Sequence, residues 1–245
     1  MPSRKFRAEG PVLYQRYQFG YCQWAEADAS GWEEELEEIY SGGYLPFSGN
    51  PGDRRHLFYM ARSLRVPLDR LALDKKRRYD HRQWEKFGLQ RRHWSKADFL
   101  ARFGRDTAGM ARTWMEARFG EAFLSGERYA YIFSKPYLQE ILSWTLEERL
   151  LAFAFVVRGF WGAHYWYVFY QNDRDASLPP GHGYLIDFLY WCREQHLPYA
   201  YLGTTYGIKS RYKARGIEGV EFWDGNHWCR DRVQLDELRR QDDEK

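Results

Sequence analysis

The sequence predicts an α/β fold in which helices flank a mixed β-sheet. Three features support this prediction. Two long apolar segments within 149–171, joined at Gly159–Gly162, predict neighbouring strands of the sheet. An amphipathic pattern at 183–197 predicts a helix, and the segment 199–206 predicts a strand after it. An Asp-Gly pair within 219–228 predicts a hairpin near the end of the chain.

The preceding elements are predicted from local signals. Ser30 and Glu33 form a capping box, which predicts a short acidic helix. Residues 56–71 alternate enough to predict one or two strands, and Asp74 is suited to cap a helix at 74–87. Four further elements complete the order: helices at 95–103, 106–119 and 136–144, and a strand at 129–133.

The length bounds the number of domains. A chain of 245 residues forms one large domain or two modest ones, each with a buried core. We expect an N-terminal α+β region over 1–125, which carries a basic helix, and a C-terminal region over 126–245.

Positive charge is concentrated rather than spread. The net charge is only +3, but 13 Lys and Arg face 4 Asp and Glu between Arg54 and Arg92. A second basic segment, YLGTTYGIKSRYKARG (201–216), begins as a strand and ends in a cationic turn. Such clusters are typical of surfaces that bind a polyanion.

Several classes of protein are disfavoured. The cysteines Cys22, Cys192 and Cys229 have no metal-ligand spacing, so we expect no metal and no bound cofactor. The N-terminus lacks the apolar segment of a secretory signal. The longest apolar run, Leu150–Val157, is too short to span a bilayer. We therefore expect a cytoplasmic protein with no membrane partner.

Four segments resemble the arginyl-tRNA–protein transferases and their bacterial leucyl-transferring relatives. They lie between about residues 55 and 230, in the order found in that family. The segments are SLRVPLDRLALDKKRRYDHR, then LEERLLAFAFVV with YVFYQNDRDASLPPGHGY, then LPYAYLG with SRYKARG, and finally DGNHW.

This resemblance implies a GNAT-like fold, with the aminoacyltransferase domain at 126–245. It also implies an activity: an amino acid, arginine by default, passes from an aminoacyl-tRNA donor to the free amine of a protein or peptide. The chain departs from the family at its cysteines. The N-terminal Cys-x-x-Cys is replaced by Cys22-Gln-Trp-Ala25, and Ala61 precedes the Arg-Val-Pro strand without a cysteine. That region is linked in the family to regulation or acceptor recognition, so the acceptor stays open.

The chemistry needs no nucleophilic triad. Aminolysis of an ester requires a neutral amine, correct placement and a site for the developing oxyanion. An α-amino group has a pKa near 8, so about a tenth is neutral at pH 7. An N-terminal acceptor therefore needs little general-base catalysis.

The catalytic candidates are Asp173 and Tyr170. Asp173 would bind the amine or take its proton, and Tyr170 would hydrogen-bond the aminoacyl group. An exposed turn residue and a core tyrosine are the structural alternatives.

The candidates for binding the aminoacyl end lie around one helix start and one strand. They are Gly181, Gly183 and Tyr184 at the helix N-terminus, where free backbone N–H groups bind anions, and Tyr201 and Gly203 on the strand. His182 is a second candidate base, and Asp187 a second candidate carboxylate beside Asp173 for holding an arginyl side chain.

The candidates for tRNA contact are basic or aromatic, and a solvated basic surface is their structural alternative. They are Arg65, Lys75, Lys76, Arg77, Arg78 and Arg82 in the first half, and Lys209, Arg211, Tyr212 and Lys213 in the second.

Two other functions remain open at this point. An acyl-CoA-dependent acetyltransferase would share the fold, but it predicts a fuller glycine-rich loop than SLPPGHG provides. A tRNA-binding protein without transfer activity would tolerate changes at Asp173 and Tyr170.

Overall fold

The computed structural model describes residues 4–7, 13–14, 17–18, 23–26, 32–48, 53, 55–119, 126–171 and 181–244. Four residues named above lie outside this part of the chain: Cys22, Ser30, Arg54 and Asp173.

The described part of the chain forms sixteen strands, six α-helices and one 3-10 helix. The strands are β1 (Arg4–Arg7), β2 (Leu13–Tyr14), β3 (Tyr17–Gln18), β4 (Gln23–Glu26), β5 (Tyr44–Pro46), β6 (Leu57–Met60), β7 (Ser63–Pro67), β8 (Ala72–Leu73), β9 (Gln90–Ser95), β10 (Glu140–Leu146), β11 (Arg149–Gly159), β12 (Gly162–Tyr170), β13 (Tyr199–Thr204), β14 (Ile217–Glu218), β15 (Glu221–Trp223) and β16 (Trp228–Cys229). The helices are α1 (Trp32–Ser41), α2 (Lys75–Lys86), α3 (Lys96–Phe119), α4 (Gly126–Ser134), α5 (His182–Glu194) and α6 (Arg232–Glu244), with a 3-10 helix, η1 (Ile208–Lys213).

An eight-stranded sheet forms the centre of the fold, in the order β16-β15-β7-β13-β12-β11-β10-β9. Its pairs are antiparallel except β12 and β13, which are parallel and connected through α5. A hairpin, a crossing helix and a parallel return strand are the arrangement expected of a GNAT-like domain. The predicted class, a mixed sheet flanked by helices, is confirmed.

The N-terminal α+β portion packs on one face of this sheet. Its own sheet has the order β1-β4-β6-β5. The Tyr40 ring of α1 stacks on Trp161, with centroids 4.1 Å apart, and both residues are buried. Strands β7 and β9, which precede residue 125, belong to the central sheet, so that sheet joins both halves of the chain. The division at residue 125 stays a prediction.

Two neighbouring elements were predicted wrongly. The segment 129–133 lies in the helix α4, and 140–146 is the strand β10 rather than part of a helix. Tyr129 and Ile132 are buried one helical turn apart, a spacing that the aromatic alternation of the segment concealed. Strand β10 is buried on both faces between β9 and β11, so its apolar residues follow no strand period.

The other predicted elements agree closely with the structure. Residues 56–71 form two strands, and the two segments predicted as separate helices between 95 and 119 are the single helix α3. The Asp74 side chain accepts a hydrogen bond from the Arg77 N–H at 2.7 Å and caps α2. Helix α6 was not predicted.

Helix α5 packs against α2 at a point where no side chain fits. A Cβ added to Gly183 would lie 2.3 Å from ring carbons of the buried Trp84. The Trp84 ring also meets Tyr184 edge-on, with centroids 4.6 Å apart. Gly183 thus allows the two helices to approach.

Replacing Gly183 with alanine is expected to destabilise the protein by about 1–3 kcal/mol, because Trp84 fills the required space. The matched control is Gly109→Ala in α3, where an added Cβ meets nothing within 4 Å. This control is expected to stabilise by about 0.5–1 kcal/mol. Urea unfolding measures both changes, and equal effects would contradict the packing argument.

Candidate functional site

The candidate site lies where β12 and β13 diverge. The two strands pair only at Ala163–Ala200 and His164–Tyr201. Strand β12 continues to Tyr170 and β13 to Thr204, so backbone groups beyond the pairing have no partner across the gap. Open backbone polar groups at the end of a buried sheet are suited to bind a ligand.

A lysine from η1 fills part of this gap. The Lys213 Nζ donates a hydrogen bond to the Thr204 carbonyl at 2.9 Å, replacing a lost partner. Gly203 lies beside the lysine: a Cβ added there would make ordinary van der Waals contacts, 3.4 Å from Lys213 Nζ and 3.7 Å from His164 Nε2. Gly203 also has φ of +77°, which strains other residues.

The surroundings of Lys213 change its pKa. Burial and, to a smaller extent, the nearby Arg239 guanidinium together lower the pKa of Lys213 to about 8. At neutral pH the ammonium form therefore still dominates, as a cation held between two strands.

His164 was not among the sequence candidates, although it lies beside Lys213. The ring is buried and its Nδ1 is 2.9 Å from the Tyr40 hydroxyl, while its Nε2 has no hydrogen-bond partner among the described residues. Burial and, to a smaller extent, the charge of Lys213 together lower the pKa of His164 to about 3, so the ring is neutral. If the Tyr40 hydroxyl donates to Nδ1, the Nε2–H is a donor available in the gap.

Tyrosine side chains line the other side of the gap. Burial raises the pKa of Tyr165, and the phenols of Tyr212, Tyr184 and Tyr170 raise it further, which reflects their closeness. The Tyr165 hydroxyl has no partner among the described residues. Arg118 lies over the Tyr170 ring, 5.3 Å from its centroid, and donates a hydrogen bond to its hydroxyl.

The start of α5 packs against these tyrosines at Tyr170. A Cβ added to Gly181 would lie 2.6 Å from the Tyr170 hydroxyl, and no side chain caps the helix at Gly181. Tyr170, Gly181, Tyr184 and Tyr212, which the sequence proposed separately, thus lie together.

His182 has a structural contact. Its Nε2 donates to the Tyr212 carbonyl at 2.8 Å, and burial lowers its pKa to about 4. This bond ties the start of α5 to η1.

The two basic segments lie side by side. The Asp74 N–H donates to the Gly216 carbonyl at 3.0 Å, and Arg77 Nε donates to the Arg215 carbonyl at 3.2 Å. Strands β8 and β14 pair immediately beside these contacts. The start of α2 and the turn after β13 therefore form one continuous cationic surface next to the gap.

The candidate residues on this surface differ in how exposed their side chains are. Arg77 is largely buried and pairs with Asp80, so it holds the surface together. The other candidates have exposed side chains: Lys75, Lys76, Arg78, Arg82, Lys209 and Arg211. Tyr212 is 40% exposed at the edge of the gap.

Two other candidates, Arg65 and Tyr201, already have close partners. Arg65 donates to Glu221 at 2.8 Å and lies between the rings of Tyr199 and Trp228. The Tyr201 ring packs on the N-terminal face against Tyr40 and Trp161.

Asp187 is similarly engaged. It accepts a hydrogen bond from Trp144 Nε1 at 2.7 Å, lies 3.2 Å from His81 Nε2 and pairs with Arg91 at 3.0 Å. Asp173 cannot be placed, since it lies outside the described residues.

Comparison with known proteins gives structural resemblances. No protein-family model and no curated protein sequence matches the chain. A solved structure of FemX is similar with a TM-score of 0.49 and 11% identity, covering 80% of this chain and 68% of FemX. L-PGS from Bacillus licheniformis is similar with a TM-score of 0.45 and 15% identity, covering 85% of this chain and 70% of that one.

A third structure is the C-terminal domain of a protein described as a lysylphosphatidylglycerol synthetase, from Agrobacterium fabrum. Its TM-score is 0.43 and its identity 15%, covering 69% of this chain. This chain spans 51% of the length of that one.

Two features are absent from the described residues. No three His, Cys, Asp or Glu side chains there are grouped so that they would hold a metal ion. None of the described helices combines the length and apolar character needed to cross a bilayer.

The burial of Lys213 predicts a pH dependence of stability. Its pKa is about 8 in the native protein and 10.5 ordinarily, so between these values the native state loses its proton before the unfolded state does. The free energy of unfolding of the wild type should therefore rise over this range relative to Lys213→Met. Urea unfolding at several pH values measures this difference. A matched variant, Lys135→Met, should keep the rise due to Lys213, and a constant difference between wild type and Lys213→Met would contradict the assignment.

Proposed function

We propose that the protein transfers the aminoacyl group of an aminoacyl-tRNA to an amine. The observation that carries this proposal is the cation Lys213 held in the gap between β12 and β13, beside a continuous basic surface. The first feature suits the chemistry of an ester carbonyl, and the second suits the RNA that carries the ester.

The reaction balances without a covalent enzyme intermediate. The neutral amine attacks the ester carbonyl carbon, and a C–N bond forms as the carbonyl oxygen becomes an oxyanion. The C–O bond to the ribose then breaks. The amine loses a proton and the ribose oxygen gains one, so the net proton balance is zero. Positioning contributes up to about 7–11 kcal/mol to such a step.

Lys213 is assigned to the oxyanion. Its ammonium lies among buried groups, where an ionic hydrogen bond is stronger than in water. His164 Nε2–H would be a second donor when Tyr40 donates to Nδ1. Tyr170 and Tyr184 line the space on the α5 side and would bind the aminoacyl group.

The finer assignment follows the resemblance of the sequence to the arginyl-tRNA–protein transferases. On that basis the donor amino acid is arginine by default and the acceptor is the α-amine of a protein or peptide. Asp173 remains the candidate partner for the arginyl side chain or the amine, because Asp187 is occupied by Trp144, His81 and Arg91.

Packing at α5 favours tRNA over acyl-CoA as the donor. In an acetyltransferase the glycines before this helix would make room for a pyrophosphate. Here the space beside Gly181 is taken by Tyr170 and that beside Gly183 by Trp84. The glycines are therefore accounted for by side-chain packing.

A transfer assay tests the proposed function directly. The purified protein is offered a panel of charged tRNAs with peptides that differ in their N-terminal residue, and label transfer is followed. We expect transfer from at least one charged tRNA and none from acetyl-CoA. Turnover of acetyl-CoA with no transfer from any charged tRNA would discard the proposal.

Replacing Lys213 with methionine should lower the rate of transfer by about 10²–10³-fold, the usual loss when an oxyanion donor is removed. The wild-type rate should rise up to about pH 8 as the amine acceptor deprotonates, then fall as Lys213 does. The variant should lose the alkaline fall. A pH–rate profile measures this, and an unchanged alkaline limb would exclude the role.

Reversing charge at Arg78 and Arg82 together should weaken tRNA binding and lower its salt slope by about 2, since each phosphate contact contributes about 0.9. Both side chains are exposed on α2. Arg112→Glu on α3 is the control, because Arg112 is equally basic and exposed but distant in sequence. Fluorescence anisotropy at several salt concentrations measures the slope, and equal slopes in both variants would exclude α2 from the interface.

A further inference from the structure

A pocket of about 700 Å³ lies between η1 and α6, on the outer side of the turn that carries Lys213. Its wall is strongly cationic: Lys209, Arg211, Arg215, Arg232 and Arg239 contribute, with Asp236 as the acidic residue among them. The sequence proposed three of its residues, Lys209, Arg211 and Tyr212, for tRNA contact, but not the wall from α6, a helix that was not predicted.

The single carboxylate does not balance these charges. Asp236 pairs with Arg211 at 3.2 Å and with Arg239 at 3.1 Å. Arg232 donates to the Ile217 carbonyl, which carries no net charge. Lys209 and Arg215 make no ion pair within the described residues, and both side chains are exposed.

Arg239 gives independent evidence for an anion. The residue is only 2% exposed, its Nε donates to Thr205 Oγ1 at 2.8 Å, and Nη2 has no partner among the described residues. A buried guanidinium with an unsatisfied donor is costly unless an anion or acceptor completes it. Burial correspondingly lowers the pKa of Arg239.

The shape and chemistry of the wall narrow the class of ligand. Guanidinium groups bind phosphate oxygens in a bidentate manner, and several converge here. Tyr212 supplies an aromatic face and Leu235 a buried apolar surface in the same pocket. An anion that carries a base, rather than a simple carboxylate, suits this combination.

We propose that this pocket binds the phosphate group of a nucleotide. The nucleotide belongs either to an RNA strand whose 3′ end reaches the gap between β12 and β13 or to a free mononucleotide. The RNA-borne form rests on the proposed function, whereas the free form does not. Tyr212 belongs to both the pocket and the gap, which makes them neighbours.

The test compares three probes: inorganic phosphate, adenosine 5′-monophosphate, and an uncharged RNA hairpin that ends in CCA. Calorimetry follows the first two and fluorescence anisotropy the third, so no step requires turnover. The variant Arg215→Glu changes an exposed side chain of the pocket. Arg240→Glu is the matched control, since Arg240 follows Arg239 on α6, is exposed and does not line the pocket.

We expect Arg215→Glu to weaken binding of a phosphate-bearing probe by at least about tenfold, with Arg240→Glu close to wild type. Loss confined to the hairpin identifies the RNA-borne phosphate, and loss for the mononucleotide identifies a free nucleotide site, even if the transfer assay fails. A second variant, Arg239→Gln, checked for folding by circular dichroism, should weaken the same probe. The proposal is overturned if no probe binds or if Arg215→Glu and Arg240→Glu behave alike.

Discussion

The separation of β12 from β13 after two paired residues is the constraint on which the site depends. A parallel pair that stops early leaves backbone carbonyl and N–H groups inside the protein, and each must find a partner. Lys213 satisfies one of them, the Thr204 carbonyl, and is thereby brought between the strands as a cation. The hydrogen bond that satisfies the Thr204 carbonyl is thus the same contact that places the Lys213 cation in the gap.

Contacts around this gap hold Lys213 and η1 in place. Gly203, with its positive φ, lies against the lysine, and the bond from His182 to the Tyr212 carbonyl holds η1 against the start of α5. The tie from Asp74 to Gly216 extends the same turn to the basic helix α2. Arg239 lies close enough to lower the pKa of Lys213, so an anion bound beside Arg239 would favour the protonated lysine. The pocket behind η1 and the gap are in this sense electrostatically coupled.

Local signals in the sequence were sufficient for much of the fold. The β11–β12 hairpin, α5 and the Asp74 cap follow from apolar runs, periodicity and one capping residue. The strand at 129–133 and the helix at 136–144 were predicted wrongly because their aromatic and apolar residues are buried by distant elements, which no local period records.

The candidate site, like the fold, depends on contacts between residues that are far apart in the sequence. Tyr170, Gly181 and Tyr212 were proposed from the sequence and lie together, whereas His164 was missed. It lies inside an apolar strand and becomes a candidate only through its contact with Tyr40, 124 residues away. Gly183 was proposed for a ligand, and its close contact is with Trp84. Spacing along the chain does not distinguish a glycine beside a ligand from one beside a side chain.

A crystal structure of the protein with a non-reactive 3′-amide analogue of an aminoacyl-adenosine tests the central claim most directly. The account predicts that the carbonyl oxygen of the analogue lies within about 3 Å of Lys213 Nζ, between β12 and β13. An analogue bound away from this gap, with Lys213 still bonded only to the Thr204 carbonyl, would contradict it.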